Sequence, residues 1–121
     1  MANILVCEDD RLIGRIIERK LMDENHKVKV VENGNLAIRE LKGQIFQMVI
    51  SDVMMPVNSG LDVINYLRNV LKSNIPILMV SALSEDDNIQ DALRMGANDY
   101  VSKPFSVNAL KSKVSHLLKN Q

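Results

Sequence analysis

The sequence has a single cysteine, Cys7, no tryptophan, and few other aromatic residues: two tyrosines and two phenylalanines. A lone thiol excludes an internal disulfide, and its place in a strand-like run makes the cytoplasm the expected compartment. With aromatics at 3% there is no stacking platform for bases or for a flavin ring. Neither sign of charge dominates. Fifteen Lys and Arg meet fifteen Asp and Glu, so the formal charge is +0 and no basic field exists for a nucleic-acid backbone or an anionic membrane. Direct nucleic-acid binding and membrane association are therefore not expected. No apolar run approaches the length of a membrane span, and Met1-Ala2-Asn3 lacks the positive flank and cleavage site of a secretory signal. A glycine-rich phosphate loop is also missing, so the chain offers nothing to bind ATP. What remains is 121 residues, 46% hydrophobic and 25% charged, the composition of one globular domain over residues 1–121. Such a chain reaches a net stability of roughly 6–18 kcal/mol without disulfides or structural zinc.

Five strand-like runs stand out: Ile4 to Cys7, Lys27 to Val31, Phe46 to Ser51, Ile75 to Val80 and Asp99 to Ser102. Three of them are continuously apolar, as a parallel sheet covered on both faces requires. Between and after them lie segments of helical spacing: Leu12, Ile13, Ile16, Ile17 and Leu21; Leu36, Ala37 and Leu41; Leu61, Ile64, Leu67 and Leu71; Ile89, Ala92 and Leu93; Leu110, Val114, Leu117 and Leu118. Ser59 with Asp62, and Ser84 with Asp87, have the spacing of reciprocal caps, and Ser106 is placed to cap the last helix. Gly43 and Gly96 are expected to end helices in the left-handed conformation. The order βα repeated five times predicts an α/β fold, a three-layer doubly wound (βα)5 sandwich around a five-stranded parallel sheet. A closed barrel would need eight strands and about 250 residues.

In such sheets the site lies beyond the C-terminal strand ends, near the point where the winding reverses. Glu8, Asp9 and Asp10 follow the first run, Asp52 the third, Ser81 the fourth, and Lys103 the fifth. Taken singly, each has an ordinary explanation: a capping acid, a loop acid, a capping serine, a solvated lysine. Asp10 keeps the capping role. Gathered on one rim, the carboxylates repel, since two unit charges about 4 Å apart cost roughly 4 kcal/mol at an effective dielectric of 20. Lys103 supplies one compensating charge. A hard divalent cation held by carboxylates, a backbone carbonyl and waters supplies more, in the manner of magnesium; calcium fits less well, because no twelve-residue Asp-rich loop is present.

The run Asp52-Val53-Met54-Met55-Pro56-Val57-Asn58-Ser59-Gly60, with Glu8-Asp9 after the first strand, Ser81-Ala82 after the fourth, and Gly96-Ala97-Asn98-Asp99-Tyr100-Val101-Ser102-Lys103-Pro104-Phe105 near the end, resembles the receiver domain of bacterial two-component response regulators. The resemblance spans essentially the whole chain and implies a flavodoxin-like fold. Carried over residue by residue, it implies that Asp52 accepts a phosphoryl group, that Glu8, Asp9, Asp52 and the Met54 backbone carbonyl hold Mg2+, and that Ser81 and Lys103 contact the phosphoryl oxygens. Ser81 and Tyr100 form the switch, the aromatic changing rotamer as the hydroxyl moves, and the Lys103-Pro104 peptide is expected to be cis. Glu8 in place of an aspartate and Ser81 in place of threonine are the departures.

The implied donor is a sensor histidine kinase, a histidine phosphotransfer protein or a small acyl phosphate. The implied output is a protein target on the surface of the fourth helix, fifth strand and fifth helix, with a dimer formed on phosphorylation as a further outcome. The domain is then no enzyme acting on others. It catalyses its own aspartyl phosphorylation and dephosphorylation, the latter slowly, because Met54 and Leu83 flank the approach of water and are apolar. A haloacid-dehalogenase-type phosphatase would need a carboxylate where Met54 stands, and the acids after the first strand would repel a flavin phosphate. A receiver degenerate in its chemistry would lack one of these positions, and all are filled. Whether the chain acts alone or within a longer regulator or hybrid kinase stays open.

Overall fold

The structure is a computed structural model that describes residues 1–55, 59–82 and 86–120, without the side chains of Asp86 and Asp87. The chain order is β1 (Asn3–Cys7), α1 (Arg11–Asp23), β2 (Lys27–Val31), α2 (Gly34–Gly43), β3 (Met48–Asp52), α3 (Gly60–Asn65) running into a π-helical turn (Tyr66–Val70), β4 (Ile77–Ala82), α4 (Asp86–Met95), β5 (Asp99–Lys103) and α5 (Val107–Lys119). The strands form one sheet in the order β2-β1-β3-β4-β5, every neighbouring pair parallel. This is the doubly wound sandwich the apolar runs predict, with the winding reversing between β1 and β3.

Alternation along the strands divides the core in two. Ile4, Val6, Met48, Ile50, Leu78, Val80 and Val101 pack under α1 and α5 against Ile17, Leu21, Leu110 and Val114. Leu5, Cys7, Val49, Ile77 and Met79 face α2, α3 and α4 through Ala37, Leu41, Val63, Leu67, Ile89 and Ala92. None of the described helices is long and apolar enough to cross a membrane.

Several local expectations hold. The Asp10 carboxylate caps α1, accepting the Leu12 and Ile13 N–H groups at 3.0 and 3.3 Å, and the Ser106 hydroxyl caps α5 by accepting the Ala109 N–H at 2.9 Å. Ser59 and Asp62 form the expected reciprocal cap of α3, with the Asp62 carboxylate accepting the Ser59 N–H at 3.0 Å. The other expected cap, Ser84 with Asp87, lies outside the described residues.

Other expectations are corrected. β4 starts at Ile77, not Ile75, because Pro76 has no N–H for the ladder and contributes only its carbonyl, to the Val49 N–H at 3.1 Å. The fourth strand accordingly reaches Ala82, and the third runs Met48–Asp52 with Phe46 ahead of it. Gly43 is the last residue of α2 and has no positive φ; the chain leaves through an extended Gln44. Of the two glycines only Gly96 takes a positive φ, 123°, while Asn25 after α1 and Lys72 after the π turn occupy the left-handed region at 69° and 55°. Leu71 does not join the apolar stripe of its helix. The Leu71 N–H bonds the Tyr66 carbonyl five residues back, and the extra residue in that turn rotates Leu71 outward while Leu67 stays buried. Leu12 is 69% exposed, since α1 has more apolar residues than its inward face can hold.

Candidate functional site

The site forms where the winding reverses. β1 ends at Cys7, so Glu8 and Asp9 fall just past its C-terminal end, beside Asp52 at the end of the central strand β3. The register of β3 with β4 pairs Asp52 with Val80, which puts Ser81 one step further along the same rim, and β5 delivers Lys103 opposite Ala82. Ser81 is buried; Asp9 is exposed.

Lys103 Nζ lies 3.0 and 3.2 Å from the two Asp52 carboxylate oxygens and 3.1 and 3.4 Å from those of Glu8. Glu8 and Asp52 are 2% and 4% exposed. Burial pushes the Asp52 carboxyl well above the usual carboxylate range, the neighbouring Glu8 adds to the shift, and Lys103 only partly opposes it. Burial acts on Lys103 in the opposite sense, but its contacts with Asp52 and Glu8 prevail and raise it. Cys7, beneath the site with its thiol 3.2 Å from the Met55 sulfur, is pushed by burial to about 12 and is no nucleophile at neutral pH.

The residues fit a divalent cation. One oxygen from each of Glu8, Asp9 and Asp52 lies within 4.8 Å of the others, an all-oxygen set suited to a hard ion. Three carboxylates face one ammonium. Glu8 Oε2 is held by the Asp10 N–H at 3.0 Å, whereas the buried Oε1 lacks an aligned hydrogen-bond donor among the described residues, although Lys103 Nζ is in ionic reach. An oxygen so placed is what a cation would satisfy.

The remaining expected residues are placed as follows. Met54, two residues past Asp52, has its side chain 52% exposed. Tyr100 stands on β5 with its side chain at the surface, 40% exposed. The Lys103-Pro104 peptide is cis. Leu83 and the Pro56-Val57-Asn58 part of the central motif lie outside the described residues.

Two contributors have no assigned role in the sequence reading. Gly60 opens α3 with its N–H on the Val53 carbonyl at 2.8 Å, so close to β3 that an added Cβ would run into the Asp52 carbonyl oxygen and come within 2.8 Å of Met79 Cε. Its spacing from Asp52 is the signal, but the reason is a tertiary approach. The buried Ser51 hydroxyl donates to the Asp52 carbonyl at 2.9 Å and fixes the same peptide; nothing in its sequence context marks it.

Comparison with known proteins agrees with this geometry. The family model described as "Response regulator receiver domain" matches residues 4–115. The response regulator ArlR of Staphylococcus epidermidis is 31% identical over 121 residues, all of this chain and 54% of that protein; the chain spans about half the length of the curated relatives it matches. Among solved structures, the receiver domain of the Francisella response regulator 1452 superposes with a TM-score of 0.90 at 29% identity, covering 99% of this chain and 98% of that one. The receiver domain of a signal transduction histidine kinase from Syntrophus aciditrophicus gives 0.89, also at 29% identity, with 99% and 92% covered. With the family model covering residues 4–115 of 121, the chain belongs to the response regulator receiver domain family.

Proposed function

We propose that Asp52 accepts a phosphoryl group from a phosphohistidine on a sensor histidine kinase or histidine phosphotransfer protein, or from a small acyl phosphate. The observation that carries this reading is the environment of Asp52: a carboxylate buried at the end of the central strand, with an ammonium 3.0 Å away and two further carboxylates beside it. One Asp52 oxygen attacks phosphorus, the bond from phosphorus to the donor nitrogen breaks, and the electron pair leaves on the imidazole, which takes a proton. Negative charge develops on the phosphoryl oxygens, and Lys103 is fixed beforehand where it can meet that charge. Glu8, Asp9, Asp52 and the Met54 carbonyl would hold Mg2+, which when bound neutralises the carboxylates and the incoming phosphoryl oxygens.

The buried Ser81 hydroxyl is placed on the same rim to move toward the phosphoryl group, and Tyr100, now at the surface, to turn into the space vacated. The readout surface is α4, β5 and α5, where a downstream protein or a second phosphorylated copy docks. The domain, spanning residues 1–121, catalyses its own phosphorylation and its own slow dephosphorylation in the cytoplasm.

Incubation with acetyl phosphate and magnesium should add one phosphate by intact mass, and Asp52→Asn should abolish it. Equal labelling of the variant would refute the assignment. Amide shifts confined to the loops around Asp52, with none at Tyr100 or α5, would refute the switch.

A further inference from the structure

The chain has seven methionines, and the fold sorts them by what can reach their sulfur. Met48 and Met79 lie within β3 and β4 with no exposure. Met55 is partly buried, its sulfur taken by the Cys7 thiol at 3.2 Å. Met1, Met22 and Met95 are exposed, but Met1 precedes β1 and the other two fall in the last turns of α1 and α4, at the edge of the sheet where the strands begin. Asp52 stands at the opposite edge. Met54 is the exposed methionine that belongs to that edge, 52% exposed and two residues past Asp52.

Val53 still follows the sheet, its N–H on the Val80 carbonyl at 3.0 Å and its side chain fully buried, so Met54 is the first side chain past the carboxylate that the core does not cover. Two residues span at most about 7 Å between Cα atoms, which keeps the flexible thioether within reach of whatever Asp52 carries. A thioether is a weak acceptor and does little to orient water. Hydrogen peroxide changes this. One oxygen atom passes to sulfur as the O–O bond breaks, the sulfur gives up two electrons, and the peroxide is reduced to water; the product is a polar, hydrogen-bonding sulfoxide on the same stem. Cys7, the one thiol, is 1% exposed and shielded from the oxidant.

We propose that Met54 is an oxidation site that sets the lifetime of phosphorylated Asp52: its sulfoxide oxygen accepts a hydrogen bond from the attacking water and speeds hydrolysis. This rests on the reading of Asp52 as the phospho-acceptor. The water held by the sulfoxide presents its lone pair to phosphorus. Its oxygen bonds phosphorus, the bond from phosphorus to the Asp52 oxygen breaks, and the carboxylate is regenerated as inorganic phosphate leaves with the water's protons. A peroxide thereby shortens the signal through a thioether, and reduction of the sulfoxide back to the thioether restores it.

The test begins with the full chain treated with hydrogen peroxide and mapped by peptide mass spectrometry, where Met54 should gain one oxygen well before Met48 and Met79. Parent and Met54→Leu, each with and without peroxide, are then phosphorylated with acetyl phosphate and magnesium, freed of donor, and followed by intact mass. Oxidation should speed decay of the parent about threefold or more, equivalent to about 0.7 kcal/mol of barrier, and methionine sulfoxide reductases should return the original rate. Met54→Leu, compared with its own untreated sample, should show no such acceleration, although Met1, Met22 and Met95 oxidise in it too. Met54→Gln, with a permanent amide in place of the sulfoxide, should decay faster than Met54→Leu with no oxidant present. Unchanged decay in a folded parent oxidised at Met54, equal acceleration in Met54→Leu, or Met54→Gln no faster than Met54→Leu overturns the oxidation site alone. An untreated parent that takes no phosphate, or an Asp52→Asn variant that takes as much, overturns the reading of Asp52 and the oxidation site with it.

Discussion

Replacing Asp52 by Asn should make the protein more stable at neutral pH when divalent cations are chelated, although it destroys the phospho-acceptor. Asp52 has carboxylate oxygens of Glu8 and Asp9 within 4.8 Å and the Lys103 ammonium at 3.0 Å. At an effective dielectric of 20, each like-charge pair costs about 3.5 kcal/mol and the lysine returns about 5.5 kcal/mol, so ionised Asp52 carries a net cost of about 1.5 kcal/mol before desolvation. Burial adds to that cost, which is why its carboxyl titrates above the ordinary value. A stabilisation of about 2 kcal/mol is the expected size of the effect. The sign of the pH dependence follows. A carboxyl whose folded pKa lies above its unfolded value of 3.8 leaves the folded state holding more protons, so the parent loses stability as pH rises from about 4 through the raised folded value. The Asn variant lacks this slope. Urea denaturation in EDTA between pH 5 and 9, followed by far-UV circular dichroism, measures the difference between the two proteins and cancels groups common to both, including His26, whose pKa burial lowers. Magnesium should then narrow the gap, since it binds the folded parent more tightly than the variant. An Asn variant no more stable than the parent in EDTA, or a gap that shrinks as pH rises, would refute the electrostatic account.

Gly60→Ala should lower stability by about 2 kcal/mol or more, because the new methyl meets the Asp52 carbonyl, which is backbone and cannot step aside; thermal denaturation reads the loss, and labelling by acetyl phosphate should slow with it. Arg68 donates to the Gly96 carbonyl through Nε and Nη2, to the Ser73 carbonyl at 2.8 Å and to Asn98 Oδ1 at 3.0 Å, so Arg68→Ala should cost about 2 kcal/mol in urea denaturation, and Arg68→Lys, with one ammonium for three acceptors, should recover less than half of it. Met54→Asn combined with Leu83→Glu should shorten the life of phosphorylated Asp52 about tenfold, equivalent to about 1.4 kcal/mol of barrier, by offering hydrogen bonds to the attacking water; a decay no faster than the parent's would remove the apolar residues as the timer.

Much of the fold was legible because short-range physics carries it. Continuous apolar runs such as Ile77 to Val80 cannot sit in a half-solvated sheet, and the alternating helical stripes leave one way to cover both faces. The caps at Asp10 and Ser106 were legible for the same reason, their partners being two or three residues away. The family followed from joint spacing. Asp52, Gly60, Ser81 and Lys103 are individually ordinary residues, and only their order along the chain is not.

Tertiary structure decided what depends on neighbours distant in sequence. That Leu12 lies exposed while Ile17 is buried reflects where α5 and the sheet meet α1, which its own periodicity does not encode. The widening of α3 into a π turn coincides with Arg68 reaching the Gly96 carbonyl 28 residues on, and so moves Leu71 out of a stripe its spacing assigns to the core. The charge of the site is settled in the same way. The sequence by itself brings acids and a lysine to one rim, but that Glu8 is buried, that Lys103 touches all four oxygens of Glu8 and Asp52, and that Glu8 Oε1 lacks an aligned donor among the described residues are facts of three strands meeting. Local sequence sets propensities and spacings over a few ångströms, whereas burial, and with it the strength of every charge in the site, exists only once the strands have closed around it.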